Sequence, residues 1–215
     1  MKVTGNIELL NVDCMEYMKT VPDKFFDLAI VDPPYGETCN LSGGTGKKNG
    51  FREYWDKANG NDNWNIAPDI HYFNELFRVS KNQIIWGANH LVNFLPPSSG
   101  WVFWDKGQRD FTFSDGELAY SSFPQKMRAV TIHRQELQSE SRMHPTQKPT
   151  KLYKYLIDKF AKEGDKIFDS HLGSGSIALA CHDYKFSLVG CEIDKDYYEG
   201  ALKRLKNHVA QQVLF

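Results

Sequence analysis

Seven short runs of apolar and β-branched residues recur along this chain, each bounded by Gly, Pro, Asp or Asn. They span residues 7–12, 26–31, 83–86, 101–104, 117–121, 166–168 and 187–191, and their length and boundaries predict strands. Residues 68–79, 150–161, 176–184 and 197–209 carry apolar side chains at helical spacing, with Leu152, Tyr155, Leu156 and Phe160 on one stripe. This alternation constrains the fold more than any other feature. It implies an α/β domain whose largely parallel sheet is covered by helices on both faces. The 215 residues are enough for one domain, 1–215, with a sizeable core.

Two stretches break the alternation. Residues 36–65 are rich in Gly, Asn, Lys and Trp, and residues 124–143 are polar and basic without a clear period. Loops of this length in a compact domain tend to serve function, so both are expected to be binding inserts. The rest of the composition narrows the class. Mean hydropathy is -0.52, and no apolar run approaches the ~18 residues of a membrane span. The first ten residues carry charge and no apolar signal core, so a reduced, cytoplasmic protein is expected. Cysteines at 14, 39, 181 and 191 have no metal-ligand spacing, and no metal is expected. Lys plus Arg is 26 against 27 for Asp plus Glu, so a nucleic-acid partner has to be argued from local patches.

The run 26–31 ends in Asp32-Pro33-Pro34-Tyr35. Consecutive prolines stiffen the backbone and remove two N–H donors, leaving carbonyls to face outward at the edge where open α/β sheets bind ligands. A carboxylate, a rigid carbonyl and an aromatic face within four residues suit a planar group bearing an NH2. The bland reading is an ordinary turn that ends a strand.

The second informative segment runs from Lys166 to Asp194. A strand enters Asp169, Gly173-Ser174-Gly175 opens a helix, and the next strand ends in Glu192. Glycines at such a turn let a ligand approach the backbone and a helix N-terminus. An acid at the end of the next strand can accept bonds from ribose hydroxyls. The spacing lacks the GxGxxG pattern, which disfavours a pyrophosphate-bearing dinucleotide and favours an adenosine-bearing ligand without one.

Together these segments resemble the S-adenosylmethionine-dependent DNA amino-methyltransferases, which act on adenine N6 or cytosine N4. The DPPY-type element precedes the glycine element, the circularly permuted order of the family's β group, which includes small phage-like and restriction-modification-like members. His144-Pro145-Thr146-Gln147-Lys148-Pro149 looks like the segment that precedes the glycine motif in that group, and Asp13 like the contact to the cofactor adenine. The resemblance implies a Rossmann-like fold with a seven-stranded, mostly parallel sheet. It implies catalytic roles for Asp32, Pro33, Pro34 and Tyr35. It also implies S-adenosylmethionine contacts from Asp13, Cys14, Lys148, Pro149, Asp169, His171, Gly173, Ser174, Gly175 and Glu192. His171 departs from the family, standing where an aromatic usually lines the cofactor pocket; it is expected to be a pocket wall, with a satisfied loop histidine as the alternative.

The exocyclic amine of a base is a poor nucleophile because its lone pair is delocalised into the ring. Hydrogen bonds to Asp32 and the Pro33 carbonyl would favour a pyramidal nitrogen, and Tyr35 would stack on a base flipped out of the duplex. Asp at the first motif position resembles the adenine enzymes, whereas cytosine-N4 members more often carry Ser. Alternative readings are cytosine N4, an RNA or a protein glutamine amide as substrate, or a catalytically silent DNA-binding relative.

Double-stranded DNA is expected along the inserts. Lys126, Arg128, Arg134 and Arg142 lie in the second, and Lys47, Lys48 and Arg52 in the first. Such side chains supply phosphate contacts. The permuted family places its target reader in the second insert. At about twenty residues, that reader implies a brief site, low selectivity or the help of a second subunit in a homodimer. Trp55, Trp64, Trp101 and Trp104 read as packing residues. Finally, Gln211-Gln212-Val213-Leu214-Phe215 resembles the bacterial sliding-clamp-binding motif through Gln211, Leu214 and Phe215, with core packing of the apolar residues as the competing reading.

Overall fold

The computed structural model describes residues 2–36, 66–109, 114–133 and 147–212. Among them nine strands form one sheet: β1 (Lys2–Thr4), β2 (Ile7–Asn11), β3 (Phe26–Val31), β4 (Ser80–Trp86), β5 (Gly100–Asp105), β6 (Gly116–Ser121), β7 (Arg128–Thr131), β8 (Lys166–Asp169) and β9 (Ser187–Glu192). The helices are α1 (Cys14–Lys19), α2 (Ile70–Val79), α3 (Thr150–Phe160), α4 (Ser176–Asp183) and α5 (Lys195–Gln212). The expected α/β architecture is present, and each of the seven expected runs forms a strand. β1 and β7 are additional. β7 corrects the reading of 124–143 as irregular: Ala129, Val130 and Thr131 suit a strand and pair in parallel with β5. The α1 helix was not foreseen, being only six residues long.

The strand order is β1-β2-β9-β8-β3-β4-β6-β5-β7. From β2 to β4 every neighbouring pair is parallel, whereas β6 runs antiparallel to both β4 and β5. The chain leaves β3 towards β4 on one side and returns to β8 on the other. The carboxyl ends of β3 and β8 therefore flank a topological switch point, where open α/β sheets place ligands.

The central strands are apolar on both faces, as a doubly covered parallel sheet requires. In β3, Leu28 and Ile30 enter one core with Leu152, Leu156 and Ile177. Ala29 and Val31 enter the other with Met18, Phe73 and Leu76. Trp104 is buried and its Nε1 donates to the Ile132 carbonyl at 2.9 Å, while Trp101 is half-buried. None of the described helices is long and apolar enough to cross a membrane.

Candidate active site

Four adjacent parallel strands deliver the chemistry-bearing residues to one edge of the sheet. β2 leads into Asp13, β9 ends at Glu192, β8 ends at Asp169 and β3 leads into Asp32. The edge divides into two parts.

The first is the corner after β3. Tyr35 Oη donates to Asp32 Oδ1 at 2.5 Å, and the Lys148 ammonium donates to Asp32 Oδ2. The Tyr35 ring stacks on His90, with centroids 5.3 Å apart and planes at 17°. Gly87 makes this possible. It sits in the left-handed region at φ 65°, and a Cβ there would come within 1.9 Å of Tyr35 Cε1. Burial, then the Asp32 charge, pushes the Tyr35 phenol well above its ordinary range, so the hydroxyl stays a donor.

The second part is a cavity of about 250 Å3 where β2, β8 and β9 end. Val12, Asp13, Cys14 and Met15 form one wall, and Pro68, Asp69 and Tyr72 at the start of α2 form another. Ser170, His171, Glu192 and Ile193 complete it. Asp13 caps α1, its Oδ1 accepting from Met15 N at 2.7 Å, and Asp69 caps α2 in the same way through His71 N at 2.9 Å. Glu192 spans the glycine turn, its carboxylate accepting from Gly173 N at 2.8 Å and Asp194 N at 2.9 Å. Ser170 Oγ lies 2.7 Å from Tyr72 Oη and 2.8 Å from His171 Nδ1, so a buried polar chain backs the His171 ring.

Of the residues expected at the cofactor, Asp13, Cys14, His171 and Glu192 line the cavity. Asp169, Gly173, Ser174 and Gly175 lie behind it and shape it. Asp169 accepts from His171 N at 3.0 Å. Gly173 and Gly175 have φ of 51° and 71°, and a Cβ on Gly175 would stand 2.9 Å from Ala201 Cβ. Arg204 holds the Ser174 carbonyl at 3.0 Å. Lys148 and Pro149 do not line the cavity: the first turns to Asp32, and the second stands just before α3 without a side-chain hydrogen bond to it. Sequence reading missed Val12, Met15, Pro68, Asp69, Tyr72, Ser170 and Ile193. The Asp69 cap before an amphipathic run was a signal for where α2 starts, though not for what it faces.

The electrostatics of the cavity are unusual for so polar a lining. Burial pushes the Cys14 thiol up to about 12 and the Asp169 carboxyl up to about 8, and it drives His171 down to about 4. Each shift favours the uncharged form of its group. None of the described lining residues is Lys or Arg. The residues present fit a nucleoside-like group without a phosphate: apolar walls for a flat ring, neutral donors, and the carboxyl groups of Asp13, Asp69 and Glu192 to face hydroxyls or amines.

Lys126 and Arg128 are exposed, Arg128 at the start of the edge strand β7. Lys47, Lys48, Arg52, Arg134 and Arg142 lie outside the described residues, as do Trp55, Trp64, Leu214 and Phe215.

Comparison with known proteins shows the family and the fold. The family model for DNA methylase, of the N6/N4 methyltransferase type, matches residues 85–203, more than half the chain. Type II methyltransferase M.HpaI of Haemophilus parainfluenzae is 24% identical over 237 residues, covering 92% of this chain and 73% of the relative. Putative methylase YubD of Escherichia coli K12 is 26% identical over 213 residues, covering 90% and 87%. Among solved structures, the M1.HpyAVI–SAM complex superposes with a TM-score of 0.62 at 18% identity, covering 93% of this chain and all of that one. The cytosine-N4-specific PvuII DNA methyltransferase gives 0.63 at 13% identity, covering 94% and 86%. At these identities the structural likeness establishes the fold.

Proposed function

Because this chain belongs to the N6/N4 DNA methylase family, we propose that it methylates the exocyclic amine of a DNA base, adenine N6, from S-adenosylmethionine. The observation that carries the reading is the juxtaposition of the Asp32–Tyr35 corner with a phosphate-averse cavity on neighbouring strands. Asp13, Cys14, His171 and Glu192 hold the cofactor, whose sulfonium supplies an activated methyl. Glu192 receives hydroxyl or amine hydrogens, and its two backbone bonds fix its direction. His171 gives a flat neutral face against the ligand.

On the other side, Asp32 and the Pro33 carbonyl accept the two amine hydrogens and draw the nitrogen towards a pyramidal form. Preorganised acceptors of this kind act through position and electrostatics, with no covalent enzyme intermediate. Tyr35, locked by Gly87 and His90, offers the ring against which a flipped base stacks. Asp at the head of the tetrapeptide supports adenine. Lys126 and Arg128 contact DNA phosphates.

Tritiated methyl transfer to DNA, RNA and protein, run side by side, tests the reading. Label in DNA alone is expected. Label in RNA or protein would replace the substrate, and cofactor binding without transfer would leave a silent relative.

A further inference from the structure

The corner after β3 contains a charge that the reading above does not use. Lys148 precedes α3, yet its ammonium reaches Asp32, 116 residues earlier in the chain. Its side chain is only 2% exposed. A lysine buried to that degree is costly unless opposite charges hold it. Two carboxylates do so here: Asp32 Oδ2, and Glu117 Oε2 at 3.1 Å. Trp86 adds its ring face 5.3 Å from Nζ. Glu117 is held in turn by Lys106 at 2.7 Å, and the Lys106 ammonium lies 5.2 Å over Trp104. Burial alone would favour neutral Lys148, but the two facing carboxylates outweigh it and raise its pKa.

This ladder of alternating charge ends on the carboxylate assigned to the amine. A carboxyl group rotates readily about its last torsion, whose preference is broad. Asp32 has lost that freedom, because Tyr35 anchors one oxygen and Lys148 the other. We infer that Lys148 is a positioning residue for methyl transfer: it fixes the Asp32 carboxylate in the orientation that receives the base amine, and Glu117 and Lys106 hold Lys148 in place. The inference rests on Asp32 being the amine acceptor. It also gives Lys148 a role away from the cofactor, since the side chain does not line the cavity.

Three measurements on the full chain separate positioning from simple structure: tritium incorporation into genomic DNA from a methylation-free host, calorimetric affinity for S-adenosylmethionine, and melting temperature. Lys148→Met keeps a side chain of similar length and removes the charge. Its kcat should fall about a hundred-fold, the scale of an ångström-sized misplacement. KM for DNA and cofactor affinity should stay within roughly threefold. In an Asp32→Asn background the amide oxygen still accepts a hydrogen bond but the ion pair is gone. Adding Lys148→Met there should change kcat by less than roughly threefold. Equal fractional losses in both backgrounds would make the lysine merely structural and overturn the inference. Should Lys148→Met fail to fold, Glu117→Gln applies the same test from the far side of the ammonium. It is expected to cost about ten-fold beside Asp32 and almost nothing beside Asp32→Asn. Wild-type transfer by Asp32→Ala would instead remove the acceptor reading itself, and the inference with it.

Discussion

The corner after β3 and the cavity beside it are built from neighbouring strands, yet they manage charge in opposite ways. At the corner, Asp32, Lys148, Glu117 and Lys106 alternate in sign and hold one another. In the cavity, burial pushes Cys14, His171, Glu192 and the nearby Asp169 towards their uncharged forms, and the Glu192 carboxyl is tied to the backbone. The first arrangement keeps an acceptor rigid, as electrostatic catalysis needs. The second suits the proposed selection of a flat ligand by shape and a few hydrogen bonds, as a nucleoside pocket needs. The division of labour predicts that rate and cofactor affinity respond to different residues.

The sharpest way to break that division is Gly87→Ala. A methyl group there would press into the Tyr35 ring from a backbone conformation that L residues rarely adopt. Methyl transfer should fall about a hundred-fold while the cofactor titrates as before. A matching loss of cofactor affinity would show that the two regions are one. Glu192→Ala works from the other side. Losing hydrogen bonds to a charged group should weaken cofactor binding by ~1–3 kcal/mol, read by calorimetry. An unchanged affinity would take Glu192 out of the pocket.

Neutralisation of Asp169 gives a subtler test. The folded carboxyl ionises near 8 against an ordinary value of 3.8. Between those values the folded chain keeps a proton that the unfolded chain has released. The stability it contributes is therefore present in full below about 4 and is lost as the pH rises through 8. Asp169→Asn has no such proton, and its amide oxygen can still accept from His171 N. The melting temperature of the variant, relative to wild type, should climb by about ten degrees from pH 5 to pH 8. A flat difference would mean that Asp169 is ionised throughout. The smallest expected effect lies away from both regions. Replacing Lys126 and Arg128 by Ala should lower the slope of log DNA affinity against log salt by about 2 and leave the cofactor titration unchanged. An unaltered slope would move the DNA face elsewhere.

Much of this was legible in the sequence, for local reasons. The strands of the sheet centre are continuous apolar runs between breakers, and β3 was read to the residue. The tetrapeptide at its end and the glycine turn before α4 declare themselves by backbone chemistry, since prolines and glycines do what few other residues can. What was not legible depends on side chains that travel far. Nothing near Lys148 indicates that it reaches Asp32 instead of the cavity. The Tyr72–Ser170–His171 chain joins residues 98 positions apart. Short edge elements such as β1, β7 and α1 have too few residues for a period to show, and pairing with the larger sheet supplies what propensity cannot.

The central claim is that Asp32 serves an amine on a DNA base. Mass analysis of nucleosides tests it most directly, using DNA from a methylation-free host expressing either the wild-type chain or Asp32→Ala. N6-methyladenine should appear with the wild type and be reduced at least about a thousand-fold by the substitution. N4-methylcytosine in its place would move the target base and keep the mechanism. No methylated base in either DNA, or equal methylation in both, would contradict the account.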